Sequence, residues 1–327
     1  MAASIKTSHL QRISRRYRSG LVALSLTSAC AFLPVQVSGV VLALGDGTGN
    51  TTAPPDDPGF SNVGDRGVYL GNISGNHWVI TASHVGAGSV TFDGISYSLV
   101  PDSAERVKNP TGMGLSEFTD LTLFRIDSDP SLPSLTISTS APAVGSTVTL
   151  IGDGLDRETT QTTWKVDTTV TPFTWDEGGI PFNATGYKSL GTRTKRWGTN
   201  TIISPGANDF VNAGFGDSKS INLSFDLVGG TTDEATVANG DSGGGLFYKN
   251  GANWELAGIL QATGTFSGQP SNTSVAGNLA FAGDLSFYRS QIESITAVPE
   301  PRSTTIILAL SALLWSRYRR VHSADDT

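Results

Sequence analysis

Three short stretches of this 327-residue chain gather side chains that can move protons or attack a carbonyl. Trp78-Val79-Ile80-Thr81-Ala82-Ser83-His84 is a β-prone run that ends in small residues and delivers an imidazole at its exit. Imidazole titrates near neutral pH, so it can act as a general base. His77 and His84 are the only histidines within 40–297. Thr119-Asp120-Leu121-Thr122-Leu123-Phe124-Arg125 sets a carboxylate at the head of an alternating apolar run. Asn239-Gly240-Asp241-Ser242-Gly243-Gly244-Gly245-Leu246 crowds glycines around one serine. Such a backbone can expose a hydroxyl and turn N–H groups toward a reacting oxygen. Each stretch alone has a plain structural explanation: a packed histidine, an Asp opening a turn, a Gly-rich hairpin. Together, a base, an orienting acid and a serine suggest acyl transfer through an activated hydroxyl.

The order His84, Asp120, Ser242, each in its local setting, resembles the trypsin-like (chymotrypsin-fold) serine peptidases over about residues 60–297. That resemblance implies His84 as the base, Asp120 as the residue holding its tautomer, Ser242 as the nucleophile, and the N–H groups of Gly240 and Ser242 as the oxyanion hole. It implies further that Thr236, six residues before Ser242, lies at the base of the substrate pocket, with Gln261, Ala262 and Thr263 on its wall strand. An acid at Thr236 would select Arg or Lys; a neutral Thr implies a shallow, uncharged pocket, with Asp233 and Glu234 close by in sequence. In this family a new N-terminal Ile or Val amine pairs with the Asp before the nucleophile, here Asp241, and cleavage after Gly39 would expose Val40-Val41. A protein or peptide substrate is implied, and no metal or organic cofactor. Gly45-Asp46-Gly47-Thr48-Gly49-Asn50 resembles a calcium loop only loosely and reads as a turn. The chain departs from the family at Val85, where a cysteine is usual, at Gly245, where a proline is usual, and in lacking an Arg/Lys-Ile-Val-Gly-Gly activation site. Two other classes compete: a homologue that binds peptides or glycans without cutting them, and a structural surface protein. Inactive homologues usually lose one triad member, and here all three remain; a structural protein leaves the three ordered motifs to coincidence.

The elements that must position these residues read as short strands. Val68–Ile73, Trp78–Thr81, Ser89–Phe92, Ile95–Val100, Leu121–Ile126, Val148–Ile151, Thr163–Val166, Ile221–Phe225, Gly245–Tyr248 and Trp254–Leu260 are β-rich and separated by turn residues. One helix is expected near Leu285–Ile295. Strands without βαβ alternation make the chain all-β, as antiparallel barrels or a sandwich. The resemblance implies two antiparallel Greek-key β-barrels, about 61–145 and 146–297. Residues 40–60 are expected to be a flexible N-terminal segment, and residues 172–220, rich in Gly, Thr and Asn, to hold long surface loops.

Composition excludes several other classes. Hydrophobic residues make up 38% and charged residues 16%, with 38 glycines, which suits a β-rich globular protein and not a helical bundle. No G-X-Y period, heptad run or series of long apolar stretches marks a collagen, a coiled coil or a multi-span membrane protein. The single cysteine, Cys30, excludes an intrachain disulfide framework and a Cys-rich zinc site. Within 40–297 there are 13 basic and 26 acidic residues, a net charge of −13 that would repel nucleic acid.

The two ends read as addresses. Five basic residues up to Arg18 precede an apolar run through Val41, which makes 1–39 a signal peptide, with an uncut membrane anchor as the competing reading. Cys30 after Thr27-Ser28-Ala29 only faintly resembles a lipoprotein box. At 298–320, Val298-Pro299-Glu300-Pro301, an apolar stretch from Thr304 to Ser316 and Arg317-Tyr318-Arg319-Arg320 resemble the PEP-CTERM sorting signal of Gram-negative bacteria, followed by a tail at 321–327. The apolar stretch is about 20 Å long as a helix, against ~30 Å of hydrocarbon, so it suits transient and not permanent membrane association. The resemblance implies export machinery and an exosortase-like enzyme as partners, and a cell-surface, extracellular-matrix or secreted destination.

Overall fold

A computed structural model describes residues 40–204 and 209–297. The expected signal peptide at 1–39, with Cys30, and the expected sorting signal at 298–320 lie outside them. Among the described residues no helix is long and apolar enough to cross a membrane. Among the described residues strands predominate, with a single 3-10 turn at Phe60–Asn62 and one short α-helix at Leu285–Thr296.

The first half comprises β1 (Val41–Leu42), β2 (Val68–Ile73), β3 (Asn76–Thr81), β4 (Val90–Phe92), β5 (Ile95–Tyr97), β6 (Glu105–Lys108) and β7 (Phe118–Ile126). β2, β3, β7 and β6 form one antiparallel sheet in that order, and β4 and β5 a separate hairpin. Both faces of the sheet are buried, because every second residue is apolar on each side. Tyr69, Val79 and Phe124 meet Val90, Phe92 and Tyr97 of the hairpin. Val68, Leu70, Ile80, Leu121 and Leu123 face a second core shared with the rest of the chain. The expected first barrel is therefore closed only by short ladders: Val100 N donates to Arg125 O at 2.9 Å and Asp127 N to Ser98 O at 3.0 Å, which joins the hairpin to the end of β7. Its hairpin strands are only three residues each, so side-chain packing closes what the ladder does not.

The second half comprises β8 (Thr147–Arg157), β9 (Thr162–Asp167), β10 (Thr174–Glu177), β11 (Ala184–Ser204), β12 (Phe210–Asn212), β13 (Asp217–Ser224), β14 (Ala235–Thr236), β15 (Gly245–Asn250), β16 (Asn253–Gly264), β17 (Thr273–Val275), β18 (Leu279–Asp284) and α1 (Leu285–Thr296). The ladder β11-β8-β15-β16-β18-β13 returns to β11 through Ile202 opposite Leu223, so six antiparallel strands close into a barrel. Val148, Leu150, Leu246, Ala257 and Leu260 fill its interior. Ile151, Phe247, Leu256 and Ile259, their neighbours along the same strands, join the shared core. Each such large apolar side chain contributes about 1.5–3 kcal/mol on burial. Asp284 caps α1 by accepting from Ser286 N at 2.9 Å, and Leu285, Tyr288 and Ile292 lock the helix into the shared core.

Two expectations are corrected. Residues 172–220 are not long loops: β11 alone runs 21 residues, leaving the barrel to pair with β9 and β17. Its extension, rich in Thr, Lys, Arg and Gly with only Tyr187 and Leu190 as large apolar residues, shows no sustained apolar alternation. Nor is 40–60 flexible throughout. Val40–Ala43 are buried and β1 pairs with β14. Arg157 clamps this segment, donating from Nε to Leu42 O at 2.7 Å and from Nη2 to Leu44 O and Gly45 O at 3.0 and 2.8 Å. Its guanidinium lies 3.7 Å over the Tyr187 ring.

Candidate active site

His84 stands three residues beyond the end of β3, and Asp120 is the third residue of β7, so antiparallel pairing of those strands brings them together. The grip is double. His84 N donates to Asp120 Oδ1 at 3.0 Å, and the ring Nδ1 meets Asp120 Oδ2 at 2.7 Å. An ionised carboxylate only accepts, so Nδ1 carries the proton and Nε2 is left as the basic nitrogen. Asp120 is buried, and its own N–H donates to Ser218 Oγ at 3.0 Å.

Ser242 is carried by the second half, in the turn between β14 and β15. Gly243 N donates to Leu260 O at 2.9 Å and Gly244 N to Asp241 O at 2.7 Å. Gly243 has φ +88, and a Cβ there would lie 2.6 Å from Arg66 O and Thr81 Oγ1, so only glycine lets this turn abut the end of β3. Ser242 Oγ donates to Gln261 O at 3.2 Å, while Gln261 Nε2 donates to Asp120 O at 2.7 Å. One residue of β16 thus holds both the serine and the acid strand. Among the described residues, no main-chain carbonyl accepts from Gly240 N or Ser242 N.

A cavity of about 280 Å³ opens beside His84, and Thr236, Gln261, Ala262 and Thr263 all line it. His84 is the one titratable residue in that lining. Gln261 lines the pocket and also donates its amide to Asp120 O. Asp233 and Glu234 do not reach the cavity. Asp233 Oδ1 accepts from Asn50 Nδ2 at 3.2 Å, and Glu234 is buried, accepting from Asn200 Nδ2 and from the Thr231 N–H and hydroxyl. Burial raises the Glu234 pKa, with the Thr231 bonds opposing it.

Asp241, just before the serine, is fully buried. Its Oδ2 accepts from Ala238 N at 3.0 Å, while Oδ1 meets no donor in hydrogen-bond geometry. Burial pushes its pKa well above the carboxylate range; the Ala238 N–H and, more weakly, the nearby Val40 main-chain N–H favour its charged form. Sequence reasoning missed Phe215, Arg106 and the bridging role of Gln261. Phe215 and Arg106 lie in no motif: Phe215 meets the site across the two halves, and Arg106 reaches it from β6, beside the acid strand.

No family model matches the chain, and no curated protein does. Among solved structures, the chain is similar to human heparin binding protein, at 14% identity and TM-score 0.46 over 77% of this chain and 98% of that one. A mutant of human heparin binding protein is similar at 15% identity and TM-score 0.45, over 78% and 98%. Neuropsin, a serine protease expressed in the limbic system of mouse brain, is similar at 16% identity and TM-score 0.42, over 76% and 98%. Likeness at this level locates no residue and assigns no activity.

Proposed function

We propose that the chain is a serine endopeptidase, exported from a Gram-negative bacterium by its leader at 1–39 and sorted through its tail at 298–320 by an exosortase-like enzyme. The observation that carries the enzymatic reading is the bridge through Gln261. It ties Ser242 to Asp120, whose carboxylate already holds His84 at 2.7 Å. His84 Nε2 takes the proton of Ser242 Oγ as that oxygen attacks a peptide carbonyl. The tetrahedral oxyanion is received by the N–H groups of Gly240 and Ser242, each worth about 3–4 kcal/mol in the transition state. Collapse passes the proton from His84 to the leaving amine and leaves an acyl ester on Ser242. Water, deprotonated by the same imidazole, then releases the acid and restores the serine. The uncharged pocket under Thr236 favours cleavage after small or medium uncharged residues.

The test compares the parent with Ser242→Ala for labelling by a fluorophosphonate probe and for cleavage of casein. The parent is expected to label and cut, and the variant to do neither. A folded parent that does neither refutes the reading.

A further inference from the structure

Phe215 sits in the connection between β12 and β13, in the second half of the chain, yet its ring lies on the base of the first half. It stacks on His84 with centroids 4.5 Å apart and planes 23° from parallel. Asp120 holds the imidazole only at one edge, through Nδ1, and a ring held at one edge can still tilt about that bond. A second contact on its face removes the tilt and sets where Nε2 points.

The loop presenting Phe215 is fastened along β7, the strand that carries Asp120. Arg106 of β6 donates from Nη2 to Phe215 O at 2.9 Å and to Thr119 O at 2.8 Å, with its guanidinium 5.1 Å over the Phe118 ring. Gly216, at φ +121, lies so close to Phe118 O that any Cβ would clash with it. Asp217 accepts from Ser116 N at 2.7 Å and donates its own N–H to Ser116 Oγ at 2.6 Å. The main chain that carries the ring is thus fastened at Phe215 O, Gly216 and Asp217, while the ring itself is exposed on its outer side. Its π face also suits the positive charge that the imidazole gains when it takes the serine proton.

We propose that Phe215 is a positioning residue for His84, held in place by Arg106, so that each half of the molecule supplies part of the orientation of the base. This rests on the peptidase reading above. A small alkyl fluorophosphonate carries no peptide side chains, so its labelling rate reports the serine and its base without any peptide subsite. Labelling rate constants, and kcat and KM on a peptide, are compared for the parent, Phe215→Ala, Phe215→Tyr and Arg106→Met.

Phe215→Ala is expected to lower both the labelling rate and kcat by about two- to twelvefold, the range for an aromatic pair. KM should move by less than about twofold, because a contact acting through the base affects chemistry and not uniform binding. Phe215→Tyr should restore the parent rates. Arg106→Met, at an exposed position that keeps the fold, should fall in between, since Gly216 and Asp217 still hold the loop. Unchanged labelling in Phe215→Ala and Arg106→Met overturns the proposal, as does a change confined to KM, which would make the ring a substrate contact. A folded parent that does not label refutes the peptidase reading, and this role with it.

Discussion

Adding one residue ahead of Val40 changes the group beside Asp241 from an amine to an amide. Val40 is 3% exposed, anchored by the β1–β14 pairing and by Arg157, so the group stays where it is in either case. With the amide, Asp241 is a buried carboxyl group whose Oδ1 has no partner. With a free amine, it has a cation. Leaving one member of a buried pair alone costs about 3–5 kcal/mol. At about 1.36 kcal/mol per tenfold, that is between a hundredfold and several thousandfold in the population of the turn that carries Ser242. The assay compares chains beginning at Gly39 and at Val40 for fluorophosphonate labelling rate and for melting temperature against pH. In the longer chain the native state retains a proton on Asp241 that the unfolded state releases above the ordinary value of 3.8, so its stability falls as pH rises past about 4. In the shorter chain the pair raises the amine pKa. Its contribution is whole below the unfolded α-amine value of about 7.7–8.0 and is lost as pH rises through the higher folded value. Equal labelling rates and superimposable melting profiles between pH 4 and 7 would refute the reasoning.

Further predictions concern other parts of the site. Asp120→Asn, which keeps the shape but reverses the proton on Nδ1, should slow labelling by about 10⁴ with little change in melting temperature. A positional-scanning peptide library should show cleavage after small or medium uncharged residues and little after Arg or Lys. Thr236→Asp should move that preference toward Arg and Lys, and a parent that already prefers them would show the pocket to be misread. Arg157→Met removes five hydrogen bonds, three of them to the N-terminal segment, and the contact with Tyr187, and should cost about 2–4 kcal/mol in urea unfolding while exposing 40–49 to proteolysis.

What could be read from the sequence was what short windows encode. β2 is expected and found at Val68–Ile73, and the expected helix at Leu285–Ile295 is α1 to within one residue, because both have strong local patterns. The His84–Asp120 contact was likewise anticipated, its two halves sitting in recognisable runs. What escaped depends on contacts across the two halves. Nothing around Ala213-Gly214-Phe215-Gly216 says that this loop crosses to β7, and nothing in Gln261 distinguishes a pocket wall from a bridge. The length of β11 escaped for another reason: a strand with no apolar face on its extension carries no period-two signal. The shortness of the ladders that join sheet and hairpin in the first half escaped because strand length is poorly reported by propensity.

The helix α1 also bears on the order in which the molecule forms. Lys108 N donates to Gln291 Oε1 at 2.8 Å and Tyr288 Oη to Asn109 Oδ1 at 2.8 Å, contacts separated by 183 and 179 positions. Leu285, Tyr288 and Ile292 complete the core against which Val68, Leu70 and Ile80 lie. Synthesis runs from the N-terminus, so the first sheet is made long before the helix that covers one of its apolar faces. Until residue 292 has emerged, that face lacks part of its native cover, and loop closure over so many residues is slow. The nascent first half is therefore kinetically open for most of its synthesis, a state in which it can be threaded as an unfolded chain, and one in which it depends on being kept from aggregation.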